Sequence, residues 1–120
     1  MADEATIRVS LSFAKGSTVV SLSLGPTKFD VAGSNALHNR QKIGTSEEAV
    51  LVGDVAAGGY FVAVNRDATN FVELRAGSGL ADLARLEPGD VCLFRLTDDA
   101  TLYAISDTAE CELEYAIVDA

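Results

Sequence analysis

The feature that most constrains this chain is a two-residue alternation near its start. In Thr6-Ile7-Arg8-Val9-Ser10-Leu11-Ser12-Phe13 every second residue is apolar, and Val20-Ser21-Leu22-Ser23-Leu24 repeats the pattern after the turn residues Lys15-Gly16-Ser17. Successive side chains of a strand point to opposite faces, so these runs are strands with one apolar face. A helix would need its apolar residues three and four apart. The two runs read as a hairpin. Gly25-Pro26 punctuates it, and Lys28-Phe29-Asp30-Val31 is expected as a third short strand.

Strand signals continue through the rest of the chain. Ala49-Val50-Leu51-Val52 is an apolar run, and Ala57-Gly58-Gly59 reads as a turn into Tyr60-Phe61-Val62-Ala63-Val64. Asn65-Arg66-Asp67-Ala68-Thr69-Asn70 follows, a turn whose side chains can cap their own backbone, and Phe71–Arg75 returns as a strand. These segments read as successive hairpins. In Glu87-Pro88-Gly89-Asp90, Pro88 and Gly89 stand where a type II turn places them. Val91–Leu96, Leu102–Ile105 and Cys111–Val118 close the set. Ser78–Leu86 has leucines three apart but is too short for a stable helix, and reads as a loop leading into a strand. Nine or ten short strands at about 8–12-residue spacing indicate an all-β fold: one antiparallel β-sandwich domain over residues 1–120, jelly-roll-like.

Charge narrows the partners. Nine Lys and Arg stand against eighteen Asp and Glu, for a net charge of −9. Such a surface repels phosphate backbones and anionic lipid, so neither nucleic acid nor a membrane is an expected partner. The acidic opening Met1-Ala2-Asp3-Glu4 lacks the basic-then-apolar order of a secretory signal, and synthesis in a reducing cytoplasm is expected.

Reactive groups are few. His38 is the one histidine, expected on an exposed loop or strand edge, and Ser34 and Ser46 sit in no Gly-x-Ser-x-Gly turn. There is no phosphate-binding glycine loop. No catalytic residue, cofactor or metal site is expected, and the protein reads as a non-enzyme. Cys92 and Cys111 are too far apart for a Cys-x-x-Cys pair and fall in apolar alternation, as free, buried thiols. Asn65, Asp67 and Asn70 offer oxygen ligands, but the glycine and bidentate glutamate of a calcium loop are missing, which favours a self-capped turn.

Acidic residues crowd the end of the chain. After Arg95 come Asp98, Asp99, Asp107, Glu110, Glu112, Glu114 and Asp119 with no basic residue. Glu110, Glu112 and Glu114 would share one strand face, either as a solvated stripe or, with Asp98 and Asp99, as an interface to a basic partner. In either case cross-strand cations such as Arg66, Arg75 or Arg95 are expected beside them.

From Ile43 onward the order of motifs is distinctive: Ile43–Ala49, Gly53-Asp54-Val55, Gly59-Tyr60-Phe61, Asn65–Leu74, Leu86-Glu87-Pro88-Gly89-Asp90, Phe94-Arg95-Leu96, Asp107-Thr108-Ala109 and Leu113-Glu114-Tyr115. Together they resemble small structural proteins encoded by tailed bacteriophages, with Asp90 in place of the usual Glu. The resemblance implies a virion component with a β-sandwich fold: a capsid decoration (cement) protein or a head or tail accessory protein. Its expected partners are other phage structural proteins and further copies of itself, in threefold or other cyclic symmetry. The competing reading is a small carbohydrate-binding sandwich for host attachment, which Tyr60, Tyr103 and Tyr115 would have to serve in a chain without Trp.

Overall fold

A computed structural model describes residues 3–56, 58–97 and 101–120. By contacts the chain forms two compact units, Met1–Ala32 and Gly33–Ala120. Every regular element among the described residues is a strand.

The first unit is a two-stranded antiparallel ribbon of β1 (Ala5–Lys15) and β2 (Thr18–Phe29). Gly16, at φ +61°, supplies the left-handed residue of its turn. Here the expected third strand at Lys28–Val31 is corrected. β2 runs unbroken through Gly25-Pro26, and a register shift between Ile7 and Val9 absorbs the irregularity. Gly25 sits there at φ +100°, where a Cβ would meet the Ile7 carbonyl. Proline interrupts a ladder only where its missing N–H is needed, and a bulge on a two-stranded ribbon tolerates it.

The second unit is the sandwich. Its eight strands are β3 (Ala36–Ile43), β4 (Glu48–Ala49), β5 (Gly58–Asn65), β6 (Val72–Arg75), β7 (Asp82–Leu86), β8 (Val91–Arg95), β9 (Tyr103–Ser106) and β10 (Cys111–Asp119). They form two four-stranded sheets in the orders β3-β10-β5-β8 and β4-β9-β6-β7, antiparallel throughout. The chain therefore changes sheet at every connection except β6 to β7. The hairpins expected across the middle of the chain are corrected on this point. β4 pairs with β9 and β5 with β10 and β8, so the Asn65–Asn70 and Glu87–Asp90 turns are corners between sheets.

Alternation builds the core. In β10, Cys111, Leu113, Tyr115 and Ile117 point inward while Glu112, Glu114, Ala116 and Val118 alternate outward. Phe61 packs its ring 5.5 Å from Phe94 and 5.7 Å from Tyr115, and the facing sheet adds Val72, Leu74 and Ala104. Gly58 and Gly59 lie inside β5 rather than in a turn. A Cβ on Gly59 would stand 2.8 Å from the Asp119 carbonyl, so glycine lets the end of β10 approach.

The apolar run Ala49–Val52 departs from its expected strand after Ala49; the Val50 amide still donates to the Leu102 carbonyl at 2.9 Å, and side chains supply partners around it. Leu51 N–H donates to Gln41 Oε1 at 3.0 Å, the Tyr115 hydroxyl donates to the Leu51 carbonyl, and Gln41 Nε2 donates to Ala49 O and to Glu48 Oε1, each at 3.0 Å. Among the described residues no buried side-chain polar atom is left without a partner.

Candidate functional site

The Asn65–Asn70 corner is built from its own side chains. Asp67 Oδ2 accepts from the Thr69 and Asn70 amides at 2.9 and 2.6 Å, and Asn65 Oδ1 accepts from the Asp67 amide at 2.9 Å. These amide hydrogen bonds, Asn70's first, hold the Asp67 carboxyl below the usual carboxylate range. Asn65 reaches further. Its Nδ2 donates to the carbonyls of Asn70 and Leu86, both at 2.9 Å, while its backbone exchanges bonds with Asp90 and Gly89. Gly89 lies at φ +84° and the Asp90 amide donates to the Glu87 carbonyl at 2.9 Å, which makes Glu87-Pro88-Gly89-Asp90 a type II turn. One buried asparagine thus ties two sheet-to-sheet corners together. Two oxygens of the calcium reading, Asn65 Oδ1 and Asp67 Oδ2, thus accept backbone amides of the corner, and Asn70 Oδ1 accepts from the Thr108 hydroxyl at 3.0 Å. Asp67→Ala should lower the melting temperature by about 5 °C by freeing two amides, with Asp67→Asn recovering most of the loss; calorimetry checks both.

The acidic stripe resolves into a neutralised cluster. Glu112 and Glu114 lie on the outer face of β10, opposite Lys42 and Arg40 of β3. Glu114 receives Arg66 Nε at 2.7 Å, Arg40 at 3.3 Å and His38 Nε2 at 2.6 Å, and Arg40 also reaches Glu112 at 2.8 Å. Arg66 is thus a cation expected beside the stripe. Arg75 instead joins Glu47 and Asp82 at 2.8 and 2.7 Å, and Arg95 lies 5.5 Å from the centre of the Tyr60 ring. Glu110 precedes β10 on an exposed stretch, so the face holds two of the three expected glutamates. Asp98 and Asp99 lie outside the described residues.

Hydrogen bonds from His38 and then Arg66, with the charge of Arg40, pull the Glu114 carboxyl down to about 2. A carboxylate so stabilised is a poor proton acceptor, and its work here is to hold β3 and the corner after β5 to β10. Because its folded value lies below its ordinary 4.5, this stabilisation is complete above that pH and lost as the pH falls towards 2. Glu114→Gln should therefore melt lower than the parent at pH 7 and converge with it at pH 2 in parallel thermal melts.

Beside this cluster the outer sheet face carries a shallow groove of about 310 Å³ lined by His38, Val62, Val64, Arg66, Val91 and Glu114. Val62 and Val91 stay 43% and 70% exposed, so the face is apolar next to a ring of fixed charges. Both thiols are free. Cys111 is buried and Cys92 half-buried, and burial pushes both above the usual thiol range, which suits packing rather than nucleophilic chemistry.

Sequence reasoning missed two features. β3 carries His38, Arg40 and Lys42 outward and passes as a polar loop because of them. The buried Gln41–Glu48–Tyr115 network gave no signal beyond the isolated Gln. No family model, curated protein or solved structure matches the chain.

Proposed function

We propose that this chain is a non-enzymatic structural component of a tailed-phage virion. It serves as a capsid decoration protein or a head or tail accessory protein, made in the host cytoplasm and carried in the particle. The observation that carries the reading is the strand order of residues 33–120. Eight antiparallel strands in two sheets, with the chain changing sheet at all but one connection, follow the winding of a jelly roll. That architecture recurs in viral shells. The order of motifs from Ile43 onward, which resembles phage structural proteins, points the same way. Fold alone does not assign function. The side chains add to the case, because Glu112 and Glu114 of the outer face are spent on His38, Arg40 and Arg66. A body so fixed acts through its surface, and many weak contacts on a repeating lattice sum to tight attachment.

The carbohydrate-binding alternative has less support. Among the described aromatic side chains Phe13 is the exposed one, and it faces Val20 on the ribbon rather than polar groups that would orient a sugar. Deletion of the gene tests the proposal. Particles lacking the protein should lose heat resistance or host attachment and regain it when purified protein is added. Particles unaffected by the deletion, together with added protein that does not bind them, would contradict it.

A further inference from the structure

The ribbon of β1 and β2 sorts its residues by face. Directly opposed pairs share a face, and the rungs Val9–Leu24, Leu11–Leu22 and Phe13–Val20 place six apolar side chains on one side. All six are 42–65% exposed. The other side carries the Ser10–Ser23 and Ser12–Ser21 rungs, with Ala14–Val19 next to the turn. The six side chains present roughly 500 Å² of contiguous apolar surface, at the upper end of what a finished soluble monomer shows. A lone two-stranded ribbon is also only marginally stable in water; it needs a layer against its apolar face.

We propose that this layer is the same face of a second copy of the chain, two ribbons stacking about a twofold axis. Two arguments select a second copy. Charge is the first. Residues 3–32 hold Asp3, Glu4 and Asp30 against Arg8, Lys15 and Lys28 and are neutral, so the whole net charge of −9 lies on the remainder. Two acidic sandwiches repel, whereas two ribbons approach without that cost. The second is shape. A twofold through the Leu11–Leu22 rung lays each Phe13–Val20 rung over the partner's Val9–Leu24 rung, so the largest side chain meets a smaller pair and the leucines stack. An isologous contact requires this kind of self-complementarity. Two such faces bury roughly 1,000 Å² together, the lower bound for a specific interface, which fits a reversible dimer. This inference stands on the ribbon alone and does not require the virion reading.

Sedimentation of the intact protein across a concentration series tests it. A reversible monomer–dimer equilibrium is expected. Leu11→Ser and Leu22→Ser should each raise the dimer Kd about 100-fold, since the twofold removes two leucines at once. Ser12→Asp, on the serine face, should leave it unchanged. A second measurement is independent of those affinities. With a bismaleimide spanning about 10 Å, the spacing of packed sheets, Leu11→Cys should cross-link two copies across the axis, and Ser12→Cys, with the same native thiols, should not. A wild type monomeric at every concentration, a larger closed assembly, or a dimer whose Kd survives both serine variants would overturn the proposal.

Discussion

Phe61→Ala is expected to cost about 4 kcal/mol, a large part of the 5–15 kcal/mol that holds a domain of this size folded. Phe61 retains 1% of its exposure and packs against Phe94 and Tyr115 on either side. It stands in β5 between β10 and β8, one of the two inner strands of its sheet, where neighbours from both strands face the gap that alanine would leave. The surroundings cannot collapse to fill it. Tyr115 is anchored through its hydroxyl to Leu51, and Gly59, further along β5, is pressed against the end of β10. Relaxation is what makes some cavities cheap, and here both routes are blocked. Urea denaturation should show the full loss, with Phe61→Leu costing about 1 kcal/mol because it keeps most of the volume. A Phe61→Ala variant within 1 kcal/mol of the parent would contradict the packing described.

Asn65→Ala is expected to cost about 3 kcal/mol, or roughly 15 °C in melting temperature, although it removes few atoms. The side chain is 1% exposed, and its loss strands the Leu86 carbonyl, the Asn70 carbonyl and the Asp67 amide. Each stranded group was desolvated on the understanding of a partner, and alanine admits no water in its place. Asn65→Asp separates the donors from the acceptor. It keeps the bond from the Asp67 amide but turns a carboxylate towards two carbonyl oxygens, so it should be at least as damaging at neutral pH and recover partly in acid, where a protonated carboxyl donates again. Thermal melts of both variants at pH 7 and pH 4 check this. Equal stability of Asn65→Asp and the parent at pH 7 would show that Asn65 does not tie the two corners.

The contrast between these two residues shows what the sequence carries. Phe61 lies in a continuous apolar run, so a buried strand is legible there, while its inward direction, against Tyr60 and Val62, is set by the sheet. The inward set of β10 and the Pro88-Gly89 turn are legible for similar local reasons. Asn65 is legible as a turn residue but not as a buried tie between corners, because its partner Leu86 lies 21 residues away. Sheet membership is hidden too. A corner between sheets and a hairpin turn use the same Gly, Pro, Asn and Asp chemistry, so Asn65–Asn70 gives no sign that β5 and β6 belong to different sheets. β3 escapes for another reason: its outward residues are charged and its inward Gln41 is polar, leaving little apolar alternation to read. With β3 unseen, the cations beside the glutamates of β10 are sought at Arg66, Arg75 and Arg95, when Arg40 and Lys42 stand directly opposite them. The ribbon was the most legible element of all.

Mass spectrometry of purified phage particles, set beside the lysate of infected cells, tests the functional account most directly. The account expects this chain in the particles, in fixed proportion to a shell or tail subunit and retained through gradient purification. Its presence in the lysate but absence from particles that are otherwise complete would contradict a structural role in the virion.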